Sequence, residues 1–127
     1  MKFDPERPIY MQIVDLIKKK IARNEILPMN KLPSQRELAV LMNVNPNTVQ
    51  RAYKELEDEK IVVTLRGQGT FVSDNPALVK KLKNELANKA LDDFFIEMKS
   101  LGFSNAEISH LISKFLTERI DDNAAKS

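Results

Sequence analysis

Between residues 34 and 46 the chain carries two helix-start signals so close together that the helix between them has room for only about two turns. The first is Ser34 followed three residues later by Glu37, a capping box in which each side chain satisfies the other's backbone donor. The second is Asn45-Pro46, a capping amide followed by a residue whose missing N–H costs nothing in a first helical turn. Leu38, Ala39, Leu41 and Met42 give the intervening helix an apolar face, and Asn43, which tolerates left-handed backbone, ends it. The helix opened by Pro46 is predicted to run towards Glu59 with Val49, Ala52, Tyr53 and Leu56 facing inward. Two short helices separated by a tight turn holding one apolar residue, Val44, form the outline of a helix-turn-helix.

The flanking segments make that outline more specific. Upstream, Pro8 opens a helix whose apolar residues recur at Tyr10, Ile13, Val14, Ile17 and Ile21, and Pro28 is expected to stop it. Lys18, Lys19 and Lys20 form the solvated side of its last turn, where cations complement the helix dipole. Downstream, Ile61 to Leu65 and Thr70 to Val72 are β-branched or aromatic runs on either side of Arg66-Gly67-Gln68-Gly69, the pattern of a β-hairpin. Its glycines permit positive φ at the tip, from which Arg66 and Gln68 project as a wing.

From Asn75-Pro76 the period changes to that of a long helix, with Leu78, Leu82, Leu86, Ala90, Phe94 and Met98 at four-residue spacing. Gly102 ends it, and Ser104 with Glu107 repeats the capping box before a last helix with Ile108, Leu111, Ile112, Phe115, Leu116 and Ile120 facing inward. The predicted fold is therefore mainly α with a small β-hairpin. A winged helix-turn-helix occupies residues 1–73 and a two-helix dimerisation hairpin residues 74–127. Those last helices carry more apolar surface than two helices can cover, so a second copy is expected on a face that includes Leu82, Leu86, Phe94, Met98, Ile112 and Phe115.

Composition removes several other classes. With no cysteine, neither disulfides nor thiolate zinc sites can form, and a single histidine, His110, cannot build a histidine-rich metal site within one chain. No apolar run approaches the ~20 residues of a membrane span, and the charged, proline-containing start does not read as a secretory signal. The expectation is a cytoplasmic protein without metal, cofactor or large ligand-binding domain. Catalysis is not expected, because no nucleophile and base are paired and Gly67-x-Gly69 belongs to a hairpin rather than to a phosphate-cradling loop.

Charge points to a partner. Residues 1–73 hold 12 Lys and Arg against 9 Asp and Glu, a net +3, while residues 74–127 hold 8 against 9, a net −1. In the third helix Asn47, Thr48, Gln50, Arg51 and Lys54 fill the first half, while Glu55, Glu57, Asp58 and Glu59 crowd the end. The positive end of the dipole and the free backbone donors therefore favour double-stranded DNA at the helix start. Asn and Gln can pair bidentately with adenine and Thr can touch a thymine methyl, so Asn47 and Gln50 are the candidates for sequence readout. Arg36 and Arg51 suit phosphate or guanine, and Arg66 can reach an adjacent groove.

Four segments together resemble the GntR family of bacterial transcription factors, and the layout is similar to its short, YtrA-like subfamily. They are Pro8 to Ile13, Leu32 to Leu38, Asn45 to Tyr53 and Arg66 to Val72, in that order. The resemblance implies a winged-helix homodimer on a two-fold symmetric operator. It puts Arg36, Asn47, Thr48, Gln50 and the Arg66-Gly67 wing tip where relatives touch DNA. Pro46 stands where such relatives place an arginine, so their sequence preference does not transfer. The alternative is a winged-helix module that binds another protein, or DNA without reading an operator. Nothing in the sequence marks a site for a small-molecule effector.

Overall fold

The computed structural model describes residues 2–126, with side chains for 2–120. Among these the chain forms five helices and one antiparallel strand pair: α1 (Ile9–Ala22), α2 (Gln35–Met42), α3 (Pro46–Asp58), β1 (Val62–Leu65), β2 (Gly69–Val72), α4 (Pro76–Ser100) and α5 (Asn105–Lys126). The mainly helical architecture with a small hairpin is the expected one.

The capping chemistry sets the helix starts. Ser34 Oγ accepts the Glu37 N–H at 3.1 Å while a Glu37 carboxylate oxygen accepts the Ser34 N–H at 3.4 Å. Asn45 Oδ1 accepts the Asn47 N–H at 2.8 Å, with Pro46 in the first helical position. Asn43 closes α2 in the left-handed conformation, at φ 54°. The α2–α3 turn is thus dictated locally at three successive points.

Packing follows from the apolar faces. α3 lies against both α1 and α2, and Val49, Ala52 and Leu56 are fully enclosed with Ile13 and Ile21 of α1 and Val62 and Val72 of the hairpin. Leu41 departs from its expected inward position and is 74 % exposed. Ala39 is the residue of α2 that is buried, and two positions further on at ~100° each place Leu41 on the opposite side of the helix.

Two further departures shape the wing. α1 ends at Ala22, ahead of Pro28, because Asn24 takes up left-handed backbone at φ 63° and reverses the chain. The released segment then pairs with β2: the Met29 N–H donates to the Val72 carbonyl, Val72 N–H to Asn30, and Leu32 N–H to Thr70, at 2.8 to 2.9 Å. One edge of the hairpin is therefore covered. Within the hairpin Val62 faces Val72 and Leu65 faces Gly69.

The chain divides into two compact units, Met1–Leu86 and Ala87–Ser127, with the division inside α4. The start of α4 belongs to the first unit because Leu82 is buried in its core and Val79 and Leu86 pack against it. In the second unit Ser104 and Glu107 form the expected capping box at the start of α5, at 3.0 and 3.2 Å. Gly102 holds the preceding turn at φ 91°, and Ile108 is buried, whereas Leu116 and Ile120 depart from their expected inward position and are exposed, because α4 alone does not cover that length of α5. Among the described residues no helix is long and apolar enough to cross a membrane.

Candidate nucleic-acid interface

The outer face of α3 is what remains once its apolar stripe is enclosed. Asn47, Gln50, Arg51 and Lys54 are exposed along it and Thr48 is half-buried. The acidic end is partly neutralised: Lys18 of α1 meets Glu59 at 2.9 Å, so this lysine serves the scaffold, while Glu55, Glu57 and Asp58 stay exposed. Polar and basic groups thus mark the start of the helix and carboxylates its end, a gradient that repels phosphate from one half only.

Arg36 sits exposed in the first turn of α2. Its place relative to α3 is fixed by Tyr53, whose hydroxyl donates to the Pro33 carbonyl at 2.6 Å just before the α2 cap. Burial, with the Glu37 charge adding to it, pushes the Tyr53 phenol up to about 12, so it stays a neutral donor at any ordinary pH. Arg51 has a partner that sequence reasoning missed: its guanidinium stacks on the ring of Tyr10 in α1, 3.9 Å from the centroid.

The wing turns through Arg66, Gly67 and Gln68, all exposed, closed by the Gln68 N–H donating to the Leu65 carbonyl at 2.9 Å. Gly67 adopts φ 76°, where a side chain would be strained. At Gly69 a Cβ would come within 2.6 Å of Lys31 Cε, so this glycine leaves room for Lys31 to lie across the base of the wing. Lys31 is a cation to which the sequence alone assigns no role. It stands between Pro28 and Pro33, and only the pairing of Met29 to Leu32 with β2 carries it there.

The residues expected on the pairing face separate into two groups. Leu82 is 5 % exposed in the core of the first unit and has no apolar surface to offer a partner; Leu86 packs against the same core. In the second unit Phe94, Ile112 and Phe115 are 40 %, 37 % and 54 % exposed, and with half-buried Met98 they line an open apolar groove of about 610 Å³ between α4 and α5.

A helix whose buried face fixes it to a three-helix scaffold and whose polar start is bare, followed by a hairpin with a basic tip, defines a winged-helix DNA-binding protein. Residues 9–72 match the family described as bacterial regulatory proteins, gntR family. The HTH-type transcriptional regulator YhcF of Bacillus subtilis (strain 168) is 45 % identical over 114 residues, 90 % of this chain and 94 % of that protein. The HTH-type transcriptional repressor YtrA of the same organism is 49 % identical over 77 residues, 59 % of each. A GntR family transcriptional regulator from Listeria monocytogenes has a like structure, with a TM-score of 0.82 at 38 % identity over 88 % of this chain and 98 % of that one. The chain belongs to the GntR family and shares the short layout of its YtrA-like members. It is a DNA-binding transcriptional regulator and not an enzyme.

Proposed function

We propose that the protein is a homodimeric repressor that acts in the cytoplasm on a two-fold symmetric operator. Residues 1–73 carry the DNA contacts and the apolar faces of α4 and α5 carry the pairing. The observation that supports the reading most is the bare start of α3, where Asn47, Thr48 and Gln50 stand beside Arg51 on a helix whose opposite face is completely buried. Asn47 and Gln50 read base edges in the major groove, Arg36 and Arg51 hold phosphates, and the Arg66-Gly67-Gln68 tip enters the neighbouring groove. Repression, rather than activation, follows the similarity to YtrA of Bacillus subtilis, a transcriptional repressor. Pairing is supported by the exposed aromatic groove of the second unit, which a symmetric partner would bury.

Competition between the DNA upstream of the protein's own gene and an unrelated duplex, at rising salt, tests the reading. A specific regulator keeps its preference as salt weakens both complexes, and equal displacement from both contradicts operator recognition. Gln50→Ala is expected to cost ~1 to 3 kcal/mol of discrimination at the base pair that Gln50 reads. A uniform loss across all sequences would remove Gln50 from that role.

A further inference from the structure

We infer that Tyr10 is a positioning residue for DNA binding, acting through Arg51. The inference rests on the assignment of Arg51 to the DNA face. The starts of α1 and α3, with Pro8, Ile9 and Tyr10 on one side and Asn45, Asn47 and Thr48 on the other, flank an open groove of about 500 Å³ that Arg51 also lines. Tyr10 is half-buried and packs against the core, so its ring is a fixed platform rather than a mobile surface group. Arg51 lies over that ring at 3.9 Å from the centroid, and among the described residues it makes no ion pair.

That combination has a specific chemical consequence. A guanidinium stacked on an aromatic face is held in a plane while its N–H donors, which lie in that plane, stay free for an anion. An acidic partner would hold Arg51 just as firmly but would consume those donors and cancel the charge. Tyr10 removes side-chain freedom before DNA arrives and leaves both charge and fork intact, at the mouth of a groove flanked by two helix N-termini. The anion that suits this fork is a backbone phosphate of duplex DNA. α1 is thereby part of the binding machinery and not only scaffold.

The test is a double-mutant cycle read by binding to a short duplex of unrelated sequence, which isolates phosphate contacts from base readout, with unfolding temperature measured alongside. Tyr10→Leu is expected to weaken binding roughly twofold to fivefold without changing the salt slope, since the guanidinium still reaches phosphate. Tyr10→Phe restores the stack and most of the lost affinity. Arg51→Ala lowers the slope by about 0.9, and adding Tyr10→Leu to it weakens binding no further. Arg51→Lys, a surface change that spares the core, keeps the charge but loses the planar stack and is expected to resemble Tyr10→Leu. Equal weakening by Tyr10→Leu with and without Arg51, Phe as poor as Leu, or an unchanged slope in Arg51→Ala would each overturn the inference. Loss of upstream-DNA preference with this cycle intact would count against operator reading alone.

Discussion

Tyr53 shows how a residue read as core can also order a binding face. Its apolar spacing in α3 was plain in the sequence, whereas its hydroxyl partner was not, because the Pro33 carbonyl lies 20 residues away and meets it only after α2 and α3 have packed. Raising the phenol pKa from 10.0 to about 12 means the folded state holds this proton more tightly than the unfolded chain. The resulting contribution to stability is complete below pH 10 and is lost as pH rises through about 12. Tyr53→Phe is therefore expected to lower stability by ~1 kcal/mol near neutrality, and the gap between variant and wild type should close at alkaline pH in chemical unfolding. A gap that widened with pH would contradict the assignment. A still longer separation in sequence hid the Tyr10–Arg51 stack, which joins α1 to α3. Contacts of this kind leave no periodic trace.

Helix starts were legible because capping is local. Ser34 with Glu37, Asn45 with Pro46 and Ser104 with Glu107 each complete their geometry within a few residues, and all three mark the starts found. Helix ends and strand edges were less legible. Asn24 could not be told from any other surface asparagine, and Met29 to Leu32 acquires its extended pairing only from β2. The inward set of α2 was misjudged at Leu41 because eight residues are too few for periodicity to fix a rotation. Since α2 carries Arg36 and is held at its start by the capping box, Ser34→Ala is expected to cost ~1 kcal/mol in an unfolding titration. Its effect on DNA affinity should exceed that of an equally destabilising change at the exposed end of α3. Equal effects would place Arg36 outside the interface.

At the level of the whole chain, the winged-helix fold was legible because four motifs constrain one another. The last two helices were legible only as surplus apolar surface. A four-residue spacing turns by ~40° a step, so the row Leu82, Leu86, Phe94 and Met98 winds round α4, from the buried core of one compact unit to the open groove of the next. Spacing alone does not say where along a helix the neighbour changes. In the proposed dimer the burden of pairing falls on Phe94, Met98, Ile112 and Phe115, and a helix-turn-helix dimer spans half-sites about 34 Å apart or a multiple of that distance. The most direct measurement is sedimentation of the wild type and of Phe94→Glu, alone and with the upstream duplex. Two wild-type chains per duplex are expected, and for Phe94→Glu a folded monomer that has lost operator preference. A Phe94→Glu monomer that binds the same site with undiminished affinity, one chain per duplex, would contradict the proposed dimer.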